Sequence, residues 1–267
     1  MTVPTPESRT ALVRRPGPGL ADGLVTHLER TPVDVARAIR QWEAYVAALE
    51  TSGWATQEVP PADDCSDAVF IEDPVVVFGR LAVVCRPGAP SRRPETDAVH
   101  GVMVELGYPV AQIDEPGTLD GGDVLKVGTT AYVGLGGRTN AEGIRQLAAF
   151  VEPYGFDVVA VPTTKVLHLK SAVTALPDGT VIGYPPLVDD PEAFPSFLAV
   201  PEEPGAHVVL LGDDRLLMSA AAPRTAELLG ARGYTVVPVD ISEFEKLEGC
   251  VTCLSVRLRH LPPSPAC

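Results

Sequence analysis

The chain has 267 residues, of which 45% are hydrophobic and 21% charged, a balance typical of a globular protein. We treat residues 1–267 as a single domain. The formal net charge of -14 argues against nucleic acid or membrane as a partner, since both attract basic surfaces, and it is compatible with a cationic substrate. Five irregularly placed cysteines and the absence of a long apolar run predict a reduced, cytoplasmic protein.

The predicted elements begin with an amphipathic helix at 33–51, which lies between strands at 11–14 and 56–59. A strand–turn–strand–helix–strand unit follows. Its predicted strands are at 69–72, 74–78, 81–85 and 109–113, and its helix is at 95–106. A second unit repeats this order, with Thr139 or Asn140 as the N-cap of its helix. Its strands are predicted at 124–127, 131–135 and 158–161, and its helix at 142–152.

The pattern continues with less regular units towards the C-terminus. The third unit has predicted strands at 172–176 and 181–184 and a short helix at 191–194. The fourth has strands at 208–211, 216–219 and 234–239 and a helix at 224–232. A fifth begins with a buried strand at 249–256 and is completed by the N-terminal elements. Five such units predict a five-fold pseudosymmetric α/β propeller of ββαβ-like modules, closed by the two termini.

Three fragments at the edges of these strands carry a thiol, an imidazole and a carboxylate: Cys253, His168 and Asp120. A radial array brings strand ends towards its axis, so these groups are predicted to meet as the machinery of a cysteine nucleophile. Alone, each has a structural explanation, because a buried cysteine usually acts as a small hydrophobe. Cys250 and Cys253 lack a second cysteine pair, and residues three apart in a strand point to opposite faces. A zinc site is therefore not expected.

Six ordered segments resemble the dimethylarginine dimethylaminohydrolases of the guanidino-group modifying superfamily. They are FIEDP at 70–74, RPGAPSRR at 86–93, LDGGDV at 119–124, GRTN at 137–140, LHLK at 167–170 and TC at 252–253. The resemblance implies a five-bladed α/β propeller and covers nearly the whole chain. It also implies that residues 16–20 form a lid over the pocket.

The resemblance further assigns roles to ten residues. In the reaction, it implies Cys253 as nucleophile, His168 as general acid and base, and Asp120 as their carboxylate partner. For the substrate, it implies that Asp73 and Asp120 hold the guanidinium with Glu72 beside them, that Arg92 and Arg138 hold the α-carboxylate, and that Asp67 with the backbone of Leu24 and Leu247 shapes the rest of the pocket.

The predicted function is hydrolysis of Nω-methylated arginine to citrulline and a methylamine through a covalent cysteine thiouronium intermediate. No metal and no cofactor are expected, and a homodimer remains open. Two alternatives remain: a hydrolase of the arginine or agmatine deiminase type, and a non-catalytic module that binds arginine-like ligands. The latter would have no need of a thiol.

Overall fold

The computed structural model describes residues 9–259. The strands are β1 (Thr10–Val13), β2 (Ala55–Glu58), β3 (Val75–Phe78), β4 (Leu81–Val84), β5 (Val110–Gln112), β6 (Val124–Val127), β7 (Thr130–Leu135), β8 (Asp157–Pro162), β9 (Val173–Ala175), β10 (Val181–Gly183), β11 (Phe197–Ala199), β12 (Val208–Gly212), β13 (Arg215–Ser219), β14 (Thr235–Val239) and β15 (Val256–Leu258). The helices are α1 (Val35–Thr51), α2 (Glu95–Glu105), α3 (Ala141–Val151), α4 (Pro223–Ala231) and α5 (Ser242–Glu245).

Within residues 9–259 the strands form five three-stranded sheets with one shared pattern. In each sheet the middle strand pairs antiparallel with one neighbour and parallel with the other. The strand orders are β3-β4-β5, β6-β7-β8, β9-β10-β11, β12-β13-β14 and β15-β1-β2. The last sheet joins the start and the end of the described chain, which confirms the predicted ββαβ-like modules and their closing sheet.

Five hydrophobic cores connect these sheets in a ring. Each core lies between two neighbouring sheets, and the fifth joins the fourth sheet to the sheet containing β1. Alternate residues of one strand therefore face different cores: Leu12 packs with β3 and β4, whereas Ala11 and Val13 pack with β12 and β13. Because a sheet buries both faces only if it has a partner on each side, every sheet depends on its two neighbours in the ring.

Local sequence signals explain where the longer helices begin. The Asn140 side chain accepts a hydrogen bond from the Gly143 backbone N–H at 2.8 Å, so Asn140 is the N-cap of α3. Asp34 caps α1 in the same way through the Arg37 N–H at 2.9 Å. No helix within residues 9–259 is both long and apolar enough to cross a bilayer.

The predicted secondary structure is wrong in several details. Residues 69–72 form turns rather than a strand, and Cys253 lies in a turn that precedes β15. Their backbone groups bond locally or to each other: the Cys253 N–H donates to the Cys250 carbonyl, and the Glu72 N–H donates to the Cys253 carbonyl, both at 3.1 Å. The apolar residues of these segments are buried, but they do not form strands. A short apolar run has no periodicity that distinguishes a strand from other buried structure. The prediction also lacks strand β11 and the short helix α5.

Candidate active site

Most of the predicted site residues surround one narrow pocket at the ends of the strands. Eight of the ten line it directly: Leu24, Asp67, Asp73, Arg92, Arg138, His168, Leu247 and Cys253. Asp120 lies behind His168, and Glu72 faces elsewhere, as described below. Phe70, Leu167, Glu248 and Gly249 complete the lining.

Asp73 lies on the pocket wall and is held through both oxygens. Its Oδ1 accepts a hydrogen bond from the Gly122 N–H at 2.8 Å, and its Oδ2 accepts one from Arg92 at 2.6 Å. Burial raises the pKa of Asp73, but the charges of His168 and Arg92 outweigh it and lower the value to about 2. Asp73 is therefore an anion at neutral pH, as the binding of a guanidinium requires.

His168 is buried between two carboxylates. Its Nε2 lies 2.9 Å from Oδ2 of Asp120, and its Nδ1 lies 3.7 Å from Oδ1 of Asp73. Burial lowers its pKa, yet the charge of Asp73 and the hydrogen bond with Asp120 raise the value from 6.5 to about 9. The imidazole therefore carries a proton at neutral pH in the free site, which is the form needed to protonate a leaving amine.

Two residues of the DGGD segment give this histidine its position. The Asp123 carboxylate accepts hydrogen bonds from the Leu169 N–H at 2.9 Å and from the Thr139 hydroxyl at 2.6 Å, so it anchors the backbone beside His168. Gly122 lies so close that a Cβ there would be 2.6 Å from both the imidazole Nδ1 and Oδ1 of Asp73. Only glycine allows the two groups to approach each other in this way.

Cys253 is buried, and its sulfur lies 3.3 Å from the sulfur of Cys250. The expectation that the two cysteines point to opposite faces is therefore wrong, because the segment is a turn and not a strand. The hydrogen bond between the thiols raises the pKa of Cys253, as burial also does, and it lowers the pKa of Cys250 to about 5. The hydrogen bond therefore favours a thiolate on one sulfur of the pair and a thiol on the other. A guanidinium bound beside Cys253, together with the Cys250 N–H 3.5 Å from its sulfur, would draw the negative charge to Cys253.

The two predicted carboxylate-binding arginines have different surroundings. Arg92 is buried and bonds to Asp73 at 2.6 Å, to Glu95 at 2.8 and 2.9 Å, and to two backbone carbonyls. These contacts describe an arginine that positions Asp73. By contrast, Nη1 of Arg138 has no hydrogen-bond partner within residues 9–259, and its nearest carboxylate oxygen, on Asp120, is 3.9 Å away.

The outer part of the pocket is formed by the N-terminal segment and the 247–249 turn. Asp67 accepts hydrogen bonds from the Leu24 N–H at 3.0 and 3.2 Å and so fixes the chain that follows the predicted lid at 16–20. Glu248 bonds to the backbone N–H groups of Thr26, His27 and Leu28. Glu248 has a φ of 61°, a backbone conformation that residues other than glycine rarely adopt.

Glu72 does not line this pocket. Its Oε1 lies 2.6 Å from Nζ of Lys170 and 3.1 Å from Nη2 of Arg257, and all three side chains line a separate central cavity. The structure therefore corrects the prediction that Glu72 lies beside the guanidinium. Adjacent residues of this turn point to opposite sides, so Asp73 takes the place nearest the reacting group.

Asp73, Asp120 and His168 also form a group whose candidate ligand atoms lie within 4.8 Å of one another. Two carboxylates and an imidazole are suitable ligands for a divalent cation as well as for a guanidinium. Independence from metals therefore stays a prediction.

Sequence reasoning missed Cys250 as a neighbour of Cys253, Asp123 as an anchor and Glu248 as a support for the N-terminal segment. The sequence offered a signal for Asp123, since it is the last residue of the DGGD segment that begins with Asp120. The contact of Cys250 depends on a turn that composition does not reveal, and Glu248 depends on contacts with residues more than 200 positions away.

Comparisons with known proteins show the family of this chain. A family model for arginine deiminase matches residues 58–210. The dimethylarginine dimethylaminohydrolase of Streptomyces coelicolor is 66% identical over 254 residues, which cover 95% of this chain and 98% of the relative. That of Pseudomonas aeruginosa is 39% identical, over 92% of this chain and 98% of the relative. A cysteine-to-serine mutant of the Pseudomonas aeruginosa enzyme in complex with citrulline has a TM-score of 0.87 at 37% identity, and the match covers 93% of this chain and 98% of that one. The chain belongs to the dimethylarginine dimethylaminohydrolase family.

Proposed function

We propose that this chain hydrolyses Nω-methylated arginine to citrulline and a methylamine, with Cys253 as the nucleophile. The observation that carries the proposal is the combination, in one pocket, of a thiol, a carboxylate–imidazole pair and an arginine whose Nη1 is unpaired within the described residues. A substrate with a guanidinium at one end and a carboxylate at the other meets each of these groups with its chemical complement.

Binding comes first. Asp73 holds the guanidinium so that its central carbon faces the sulfur of Cys253, and Asp120, behind His168, orients the imidazole. Arg138 pairs with the α-carboxylate, while Asp67 and the backbone of Leu24 and Leu247 surround the α-amino group. The bound cation favours the thiolate form of Cys253, because it places a positive charge next to a sulfur whose pKa is high in the free site.

The chemistry follows in two steps. The thiolate attacks the central carbon, and protonated His168 donates its proton to the methylated nitrogen, which leaves as a neutral amine. Water then attacks the resulting S-alkylthiouronium and gives up one proton to neutral His168, and its second proton passes to solvent, where it protonates the released amine. The C–S bond breaks, Cys253 regains its thiolate, and the product is citrulline. General acid–base catalysis of this kind contributes typically about 10²–10⁴-fold to the rate.

A second candidate is the deimination of unmethylated arginine, favoured by the arginine deiminase family model. The same thiol, imidazole and carboxylates would serve it, since only the leaving nitrogen differs. We favour the methylated substrate, because the chain is 66% identical to a dimethylarginine dimethylaminohydrolase.

One assay separates these functions: release of citrulline from asymmetric dimethylarginine, monomethylarginine and arginine, and of carbamoylputrescine from agmatine, measured side by side with purified protein. We expect the methylated amino acids to have the highest kcat/KM. Faster turnover of arginine would favour the deiminase, and no turnover of any substrate would favour a binding module.

Three broader properties are part of the proposal. We assign the chain to the cytoplasm, because the cysteines within residues 9–259 are free thiols. We treat residues 1–267 as one domain, because each core joins two sheets. A homodimer would be detected by sedimentation of the purified protein.

A further inference from the structure

A cavity of about 550 Å³ occupies the centre of the molecule and is separate from the active-site pocket. The exposed hairpin turns at Gly79 and Gly128 form part of its wall, so it reaches the surface at the end where strands β3 and β6 finish. Its size lies within the range of roughly 300–1,000 Å³ that is usual for small-molecule sites.

Adjacent residues of the chain line the cavity and the active-site pocket. Thr252 lines the cavity, whereas Cys253 lines the active-site pocket. Glu72 and its neighbour Asp73 divide in the same way. The cavity is thus a second compartment on the same central axis, with its own set of side chains.

These side chains are strongly unbalanced in charge. Four cationic residues line the cavity: Lys126, Lys170, Arg257 and Arg259. Among the described lining residues Glu72 is the single carboxylate, and it is already bonded to Lys170 and Arg257. The lining therefore carries a formal excess of three positive charges inside a protein whose net charge is -14.

Lys126 is the lining residue on which the other three positive charges act. Its side chain is exposed to the cavity, donates to the Val77 carbonyl at 2.5 Å and lies 5.3 Å from the ring of Phe78. Burial lowers the pKa of Lys126, and the charges of Lys170, Arg257 and Arg259 lower it further, to about 7. The ammonium group of Lys126 is therefore held beside like charges at a cost. A carboxylate or phosphate oxygen placed among the four would remove that cost.

We propose that the central cavity is a binding site for a small oxyanion with at least two negative charges, of the phosphate or polycarboxylate class. Lys126 provides the charge beside the exposed hairpin turns, and Lys170 and Arg257 provide it beside Glu72, while the Arg259 guanidinium donates to the Leu210 carbonyl and lies over the Trp54 ring. The shape and charge suit a compact di- or trianion, whereas a monovalent anion would leave most of the excess unbalanced.

Isothermal titration calorimetry at low ionic strength tests this proposal, with pyrophosphate and citrate as the two probes and sodium chloride of matched ionic strength as the blank. We expect saturable binding of at least one probe to the wild type. The ratio of the two affinities distinguishes phosphate from carboxylate recognition. Lys126→Met should weaken binding by about 10–150-fold, the range for one lost charge-assisted hydrogen bond, and Lys126→Arg should retain it.

Two control variants locate the site. Arg40→Met removes a cation from the exposed face of α1, and Arg138→Met removes one from the active site. Both should bind the probe as the wild type does. Circular dichroism checks that each variant is folded, and if Lys126→Met is not, Arg259→Gln takes its place with the same expected loss. The proposal is wrong if the wild type shows no saturable binding, if Lys126→Met binds equally well, or if Arg138→Met abolishes binding.

Discussion

The pocket arginines provide the sharpest test of how this site selects its substrate. Arg138 is 11% exposed, and its Nη1 has no hydrogen-bond partner within residues 9–259. Arg92, in contrast, is bonded to Asp73 and Glu95. If Arg138 binds the α-carboxylate and Arg92 positions Asp73, the two alanine variants should fail in different ways.

The expected loss follows from the contact that each variant removes. Breaking one hydrogen bond between charged groups costs about 1.5–3 kcal/mol, which corresponds to about 10–150-fold in kcat/KM. Arg138→Ala should lose this factor for dimethylarginine and hardly change the residual turnover of agmatine, which has the guanidinium but no carboxylate. Arg92→Ala frees one oxygen of the guanidinium-binding Asp73 and should therefore impair both substrates by similar factors.

The assay measures citrulline and carbamoylputrescine release across a range of each substrate for the wild type and both variants. Alkylation of Cys253 without substrate serves as the control, and Arg138→Ala should leave its rate unchanged. Equal losses for dimethylarginine and agmatine in Arg138→Ala would refute the assignment of this arginine. So would a wild type that processes agmatine as well as dimethylarginine.

Three further predictions follow from the site. Cys253→Ser should lose nearly all activity, while Cys250→Ser keeps most of it; the reverse order of activities would move the nucleophile to Cys250. Because folding raises the pKa of His168 from 6.5 to about 9, its contribution to stability is full below pH 6.5 and is lost as pH rises through about 9. The difference in unfolding free energy between wild type and His168→Gln should thus fall by about 3 kcal/mol in urea titrations over that window, and a constant difference would contradict it. Gly122→Ala should abolish turnover because its Cβ meets Asp73 and His168, whereas Gly101→Ala, with nothing within 4 Å, should be tolerated; equal activity of the two would count against the close approach.

The five-fold repeat was accessible from the sequence because each unit carries apolar strands joined by a turn, and all units but the third also carry an α-helix. The order of predicted elements agrees with the sheets that contain β3–β8, and the closing sheet of β1, β2 and β15 follows from the incomplete last unit. The third unit was less clear. Its connection consists of short 3-10 turns instead of a helix, so no 3.6-residue period marks the approach to β11.

The site was predictable in its members but not in its contacts. The six segments that resemble the family pointed to Cys253, His168 and Asp120 and to most of the residues that line the pocket. The resemblance could not reveal that Glu72 points into the central cavity, since a shared segment does not show which way each of its side chains points. Nor could it reveal the pairing of Arg92 with Asp73, which depends on the fold of residues 67–95 and not on a local pattern.

The covalent step at Cys253 is the central claim, and mass spectrometry of the acid-quenched enzyme tests it most directly. During turnover of dimethylarginine, fragmentation of the peptide that contains both Cys250 and Cys253 should place a thiouronium adduct on Cys253, and the adduct should disappear when the substrate is exhausted. An adduct on Cys250, or full turnover with both sulfurs unmodified, would contradict the account.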